Sequence, residues 1–376
     1  MSISFIPKSA KPSRASSGGG WVPKSRPSRQ EDSSVPSDKF LPTLKPLPQG
    51  ERVSPTPSTE QVARLSLDSL TSAQQSAMQA LPGPAAAALR AVWDVADGES
   101  SRAQILKLLE SQTMGQANQG QTVAQSLAEL SSTPRGSGID PESLTHQSIA
   151  LLADPESSTY QGLNTYTCGA ASLQYEMSYK NPALLARIIE DVTDQDGTMS
   201  LGEGELLQRP PGVEHPDNSG RNSLNRVLQS TLMAYTGRKR GAYDPATDSF
   251  GGKEDDQGLK IIEVARTAEL LDGEKKIVVH HNSDSSQEFH RIMKSSKPDD
   301  NFQVGLSWNK NDHLVVFTGL EDGQATFFNA QDSTTGSMPI DDFLYKTQFA
   351  ILPADRVDTD KLPEHSVFHP SQTEIE

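Results

Sequence analysis

Helix-type and strand-type patterns are segregated along this chain of 376 residues, and this separation is what most constrains its fold. Apolar residues at helical spacing come first, in residues 59–132, 168–180, 182–192 and 221–236. Segments rich in Val, Ile and Phe come later, at 276–281, 302–308, 313–320, 325–329 and 348–353. The polar turn EDGQ at 321–324 predicts a hairpin between two of these strands. Helices followed by an antiparallel sheet predict an α+β fold.

The composition divides the chain into five parts. The first 60 residues hold 10 of the 25 prolines and 13 serines, too little apolar area to offset the entropy of ordering. Residues 1–58 are therefore predicted to be a disordered basic segment. Residues 59–132 are predicted to be a helical region that could be a small bundle, a pro-region or a module binding a chaperone or partner protein. A Gly/Pro/Ser linker at 133–150, the α+β domain at 151–355 and a flexible tail at 356–376 complete the prediction.

The charge distribution argues against a nucleic-acid partner. Residues 1–50 carry a net charge of +5. The remaining residues therefore carry −20, which gives the chain its total of −15. The phosphates of a nucleic acid would be repelled by this negatively charged part of the chain. No apolar run approaches the length of about 18 residues that a membrane span needs, and the N-terminus lacks the apolar core of a cleaved secretion signal.

Cys168 is the only cysteine, which excludes an internal disulfide framework and a Cys-rich zinc site. It lies where a helix should begin, and a helix N-terminus favours a thiolate. His313 opens a predicted strand, and Asn329 ends the strand that a hairpin would bring beside it. Asp332 could orient the histidine in place of Asn329. A lone cysteine is more often an inert core residue. A catalytic role for Cys168 is therefore inferred only from its combination with His313 and Asn329.

Three segments in this order resemble the papain-like cysteine peptidase superfamily, most of all the branch of bacteriocin-processing (double-glycine leader) peptidases. They are YQGLNTYTCGAASL, DHLVVFTGLEDG and ATFFNAQDS. The resemblance implies a papain-like fold, with Cys168 as nucleophile, His313 as general base and acid, and Asn329 as the orienting residue. It also implies an oxyanion role for Gln161. Gln161 lies seven residues before Cys168 where six is usual in the family, and Asn164 could serve instead.

These features lead to a first hypothesis and an alternative from another class. The first is a cysteine hydrolase, a peptidase or an amidase such as a deamidase, that acts on a protein or peptide amide without a cofactor. It would reside in the bacterial cytoplasm or leave by a route without a signal peptide, as a secreted effector that enters a host cell. The alternative is an inactive papain-like scaffold that binds proteins.

A third hypothesis is a calcium-regulated binding protein. The segment DVTDQDGTMSLGEGE at 191–205 is similar to a calcium loop and offers Asp194, Asp196 and Glu203 as ligands. No other metal site is expected. The adjacent His280 and His281 would point to opposite faces of a strand and could not chelate one ion together.

Overall fold

The computed structural model describes residues 70–96, 98–202, 204–296, 300–308 and 311–370, and within them the chain is a mixed α+β protein. The predicted α+β class is therefore confirmed. The segment predicted to be disordered, 1–58, and the beginning of the predicted helical region lie outside the described residues.

The first part of the described chain is helical. Thr71 and Thr122 each begin a helix with a capping box, in which a glutamine three residues later bonds back to the threonine amide. The elements, in chain order, are α1 (Ser72–Ala80), α2 (Gly83–Val95), α3 (Glu99–Glu110), the two-residue strands β1 (Ala117–Asn118) and β2 (Gln121–Thr122), α4 (Val123–Ser132), α5 (Pro141–Ala153) and α6 (Pro155–Ser158).

Residues 133–150 do not form the predicted linker, because α5 begins within them. The Asp140 carboxylate accepts a hydrogen bond from the Ser143 N–H at 2.9 Å, and Pro141 occupies the first helical position. Asp-Pro is a helix start as well as a loop signal. The remaining residues 133–140 are also held in place, since the Arg135 guanidinium donates to the Glu190 carbonyl oxygen at 2.8 Å.

The middle of the chain supplies four helices around two small sheets. Asn222 caps the third of these helices, with its side chain accepting from the Asn225 N–H at 2.8 Å. The elements are α7 (Cys168–Lys180), α8 (Pro182–Thr193), the hairpin β3 (Thr198–Gly202) and β4 (Glu205–Gln208), α9 (Ser223–Thr236), the small sheet β5 (Tyr243–Asp244), β6 (Ser249–Phe250) and β7 (Lys253–Gln257), and α10 (Ile261–Asp272).

The last part of the chain forms a seven-stranded antiparallel sheet in the order β12-β11-β10-β9-β13-β8-β14. The predicted hairpin is confirmed: Glu321 pairs with Gln324 across Asp322 and Gly323, both with positive φ. The elements are β8 (Lys276–His280), α11 (Ser286–Ser295), β9 (Phe302–Trp308), β10 (Asn311–Glu321), β11 (Gln324–Asn329), β12 (Thr334–Pro339), α12 (Ile340–Lys346), β13 (Thr347–Pro353) and β14 (Val367–Phe368).

Residues 356–370 are part of the fold, so the predicted flexible tail was wrong for them. Strand β14 pairs with β8 and forms one edge of the sheet. Val357 and Leu362 are buried against the sheet. The few apolar residues of this segment are separated by Pro, Asp and Glu, so their pattern was too weak to predict this packing. Residues 371–376 lie outside the described residues.

Two apolar cores lie on opposite faces of the sheet. Alternate strand residues separate them, since Val278 joins the first core while Ile277 and Val279 join the second. The first core includes side chains from α4, α7 and α9, such as Leu127, Leu173 and Leu228. The helical region and the helix of Cys168 therefore share one core. None of the described helices combines the length and the apolar character that crossing a bilayer requires.

Candidate active site

Cys168 is the first residue of α7 and is half-buried. The residue before it, Thr167, occupies the N-cap position without a capping side-chain bond. Its hydroxyl instead donates to the Gln161 carbonyl oxygen at 3.0 Å. The first-turn N–H groups of α7 are therefore not consumed by a cap, and the Gly169 N–H bonds to the Cys168 sulfur. This end of the helix favours a negative sulfur.

Two contacts fix α7 on the sheet. The Tyr175 ring stacks on Phe328 with centroids 4.0 Å apart and planes 8° from parallel. Phe328 precedes Asn329 in β11, so this stack sets the distance between the cysteine helix and that strand. One position further on, the Glu176 carboxylate accepts from Gln303 Nε2 of β9 at 2.8 Å, a buried hydrogen bond. The helix is held by an apolar and a polar contact on successive residues.

Gly169 lets α7 approach α10 closely. A Cβ at this position would lie 3.1 Å from Leu259 and 3.2 Å from Val264, which is tighter than ordinary packing. Helix packing thus favours a glycine beside Cys168.

His313 and Asn329 meet across the β10–β11 hairpin. The His313 Nε2 lies 2.7 Å from the Asn329 Oδ1. The Gln331 N–H donates to the same Oδ1 at 3.1 Å, which identifies that atom as the amide oxygen. Because an amide oxygen only accepts, His313 carries a proton on Nε2. The neutral ring then has its lone pair on Nδ1, the nitrogen left for the thiol.

Cys168 and His313 shift the pKa of each other in opposite directions. Burial raises the pKa of the Cys168 thiol, but the hydrogen bond and charge of His313 and backbone bonds from Leu314 and Gly169 lower it below its ordinary value. Burial lowers the pKa of His313, but the hydrogen bond and charge of Cys168 and the Asn329 bond raise it overall. The opposite shifts favour a thiolate–imidazolium pair.

Asp332, predicted as an alternative orienting residue, does not take that position. It is exposed, and its Oδ1 accepts from the Thr334 hydroxyl at 2.7 Å. It contributes only through its negative charge, which raises the pKa of His313. Asn329, which is 7% exposed, makes the direct bond to the ring.

Gln161 is buried in the loop before Cys168. Its backbone N–H donates to the Ala330 carbonyl oxygen at 2.8 Å, so the loop is joined to the residue after Asn329. The side-chain Nε2 lies 3.5 Å from the Thr165 carbonyl oxygen, too far for a strong bond, and Oε1 is buried without a partner among the described residues. The amide thus retains a donor, and its oxyanion role stays a prediction. Asn164 is exposed in the same loop.

The loop between Gln161 and Cys168 is rigid yet presents apolar side chains to solvent. Gly162 has φ +96°, and a Cβ there would lie 2.8 Å from the Ser219 side chain. The Leu163 N–H donates to the Ser219 carbonyl oxygen at 2.9 Å, and the Tyr166 N–H donates to the Asp248 carboxylate at 2.9 Å. The Leu163 side chain is nevertheless 61% exposed and that of Tyr166 51%.

Sequence reasoning missed the buried amide groups behind this loop. Gln174 of α7 and Asn225 and Gln229 of α9 are bonded to one another and to the loop. The sequence signal for these residues was an amide side chain among the apolar residues of a predicted helix. It also missed the Gln331 N–H, because backbone donors leave no signal in a sequence.

The predicted calcium loop has a different geometry. Strand β3 lies within it, and β4 begins where an EF-hand would have its second helix. The Asp194 carboxylate accepts from the Gly197 N–H at 2.6 Å, and Arg209 donates to the carbonyl oxygens of Val192 and Asp194. Asp196 is exposed, and Glu203 lies outside the described residues. Among the residues that the structure describes, no three His, Cys, Asp or Glu side chains are grouped to hold a metal ion.

In comparisons with known proteins, no family model matches this sequence and no curated protein matches it. The site itself is therefore the basis for a function: an α+β domain in which a helix-start cysteine adjoins a histidine that bonds an asparagine.

Proposed function

We propose that this protein is a cysteine hydrolase that cleaves an amide bond of a protein or peptide. The observation that carries the proposal is the hydrogen bond that holds His313 on Asn329 beside Cys168, together with a thiol pKa that His313 lowers and a ring pKa that Cys168 raises. A thiol in that arrangement is a nucleophile at neutral pH. The resemblance of the three sequence segments to papain-like peptidases supports the same function.

In the proposed acylation step the Cys168 thiolate attacks the carbonyl carbon of the amide. The carbonyl electron pair moves to oxygen, and the tetrahedral oxyanion is stabilised by N–H groups at the start of α7, with Gln161 Nε2 as the side-chain donor. The C–N bond then breaks, and the imidazolium of His313 gives its Nδ1 proton to the leaving nitrogen. The products of this step are a free amine or ammonia and a thioester on Cys168.

Deacylation uses the same groups in reverse. His313, now neutral, takes a proton from water through Nδ1 while the water oxygen attacks the thioester carbon. Collapse of the second tetrahedral intermediate releases the carboxylic acid and restores the thiolate–imidazolium pair. Asn329 keeps the ring in the same plane during both proton transfers, because its oxygen holds the Nε2 proton throughout.

The surroundings of Cys168 favour an extended polypeptide as the substrate. Leu163 and Tyr166, both more than half exposed, lie on the ordered loop directly before the nucleophile. Apolar side chains of a peptide could be desolvated there without any rearrangement of the loop. The scissile group could be a main-chain amide, giving a peptidase, or a glutamine or asparagine side chain, giving a deamidase.

The test is the rate of Cys168 alkylation by iodoacetamide as a function of pH. The pair predicts a reactive thiolate below the ordinary thiol pKa of about 8.5. The variant His313→Ala should move the profile upward, because it removes the hydrogen bond and charge that lower the thiol pKa while the burial that raises it remains. A wild-type profile centred on the ordinary value would overturn the proposal.

A second experiment separates the reactions. The protein is incubated with a mixture of peptides, and the products are read by mass spectrometry, with Cys168→Ser as the control. New peptide termini indicate a peptidase, and conversion of Gln to Glu or Asn to Asp without cleavage indicates a deamidase. An activated thiol that produces neither, on peptides or on folded proteins, would favour the protein-binding scaffold and contradict the proposed hydrolysis.

A further inference from the structure

A set of fully buried amide side chains lies behind the loop that leads to Cys168. It joins two helices, α7 and α9, to both ends of that loop. Its members, one threonine and three amides, share an exposure of 2% or less: Thr167, Gln174, Asn225 and Gln229. We refer to these four residues as the amide cluster.

Gln229 is the central member, because all of its hydrogen-bonding groups are used. Its Nε2 donates to the Tyr160 carbonyl oxygen and to the Gln174 Oε1, each at 3.0 Å. Its Oε1 lies 3.3 Å from the Thr167 hydroxyl, whose single proton it shares with the Gln161 carbonyl oxygen at 3.0 Å. Tyr160 directly precedes Gln161, and Thr167 directly precedes Cys168. One side chain thus binds the residue before the predicted oxyanion donor and the residue before the nucleophile.

The rest of the cluster fixes the orientation of Gln229. Gln174 Nε2 donates to Asn225 Oδ1 at 2.7 Å, and Asn225 Nδ2 donates to the Ser158 carbonyl oxygen at 2.9 Å. The donors therefore follow one direction from Gln229 through Gln174 and Asn225 to the chain at Ser158. A flip of any one amide would place two donors or two acceptors face to face, so the cluster has a single arrangement.

We propose that Gln229 is a positioning residue that fixes the distance between Gln161 and Cys168, so that the thiol faces the carbon, and the oxyanion donor the oxygen, of the same substrate carbonyl group. This inference rests on the proposed hydrolase function. Gln229 touches no reacting atom and acts through the Tyr160 carbonyl oxygen and the Thr167 hydroxyl. Replacing it with an apolar side chain leaves the Tyr160 oxygen and Gln174 Oε1 buried without a donor, and the loop must move to satisfy them.

The variant Gln229→Met tests this, because it keeps most of the side-chain volume and removes every hydrogen bond. Its matched control is Thr231→Val, two residues further along α9. Thr231 is equally buried, and its hydroxyl donates within the helix, to the Val227 carbonyl oxygen at 2.8 Å. Both variants lose buried hydrogen bonds of α9, but only the first loses bonds to the loop.

The readout is the iodoacetamide rate profile of Cys168 between acid and neutral pH, which needs no substrate. We expect Gln229→Met to lower the alkylation rate at about pH 6 by about 10-fold and to shift the profile toward the ordinary thiol pKa, while Thr231→Val leaves both unchanged. Coincident profiles for Gln229→Met and Thr231→Val would overturn the inference.

A second variant, Thr167→Val, keeps the proposal testable if Gln229→Met fails to fold. It removes the hydroxyl that bonds both Gln229 Oε1 and the Gln161 carbonyl oxygen, so it should shift the profile in the same direction. The double variant should shift the profile by less than the sum of the two single shifts, because the two variants share one of the lost bonds. An unchanged Thr167→Val profile, or fully additive shifts, would contradict the route through Thr167. Because alkylation requires no hydrolysis, a failure of the positioning role is distinguishable from a failure of the proposed enzymatic function.

Discussion

The Oδ1 of Asn329 lies 2.7 Å from the Nε2 of His313, sixteen residues earlier in the chain, and also accepts the Gln331 N–H. This single oxygen fixes the ring tautomer and turns Nδ1 toward the thiol. The pairing of β10 with β11 brings the two residues together, since Val316 lies opposite Phe328, the residue before Asn329.

Removal of the Asn329 amide should impair Cys168 without unfolding the sheet. In Asn329→Ala the His313 ring loses the hydrogen bond that orients it, and it can rotate away from the productive position. We expect the iodoacetamide rate at acid pH to fall by about 10-fold and any hydrolysis to fall by about 100-fold. Asp332→Asn is the control. Because its charge is exposed and screened, this variant should change the rate less than about two-fold, and an equal loss in both variants would argue against the Asn329 role.

The stack of Tyr175 on Phe328 should be a major contribution to stability. Tyr175→Ala removes a ring that is 3% exposed and opens a cavity between α7 and β11. The expected loss is about 3–5 kcal/mol in the free energy of unfolding, measured by urea denaturation. Tyr175→Phe retains the stack and should cost only about 1 kcal/mol, for the hydroxyl. Equal losses would mean that the hydroxyl, and not the ring contact, stabilises this interface.

His281 should make the protein less stable in mild acid. Burial lowers the pKa of His281, although its bond to the Thr347 carbonyl oxygen opposes the shift, and its Nε2 is buried without a partner among the described residues. As pH falls below about 6.5, the unfolded chain takes up a proton that the folded state does not, so the free energy of unfolding decreases.

The comparison of His281→Asn with wild type checks this. The substituted amide could still donate to the Thr347 oxygen but does not titrate, so stability measured between about pH 7 and 5 should fall less steeply. His215→Asn, at an exposed position, should leave the slope as it is in wild type. A His281→Asn slope identical to that of wild type would exclude this histidine as the source.

Local signals predicted much of this architecture correctly. Val- and Phe-rich segments gave the strands β8, β9, β10, β11 and β13, and Asp322-Gly323 gave the hairpin. The order of helices before strands gave the class. His313 and Asn329 were paired from the hairpin alone, because its register depends on residues close in sequence. These features depend on residues close together in the chain, so they can be predicted from local sequence patterns.

Other features depend on contacts between distant residues. The Asp140-Pro141 pair was interpreted as a linker because a cap and a loop begin with the same residue types. Val367 and Phe368 form a strand only because β8 has a free edge to pair with. Gln229 contacts Tyr160 and Thr167, which are more than 60 residues away in the chain. Contacts of this kind form only when the core brings distant segments together.

The common core of the helical region and the cysteine helix bears on how this protein could be regulated. Leu127 in α4, Leu173 in α7 and Leu228 in α9 are buried within one cluster. The described segment before residue 153 therefore packs into the same core as the helix that begins at Cys168. Under the proposed hydrolase function, proteolysis within this segment would expose that core and should lower the reactivity of Cys168.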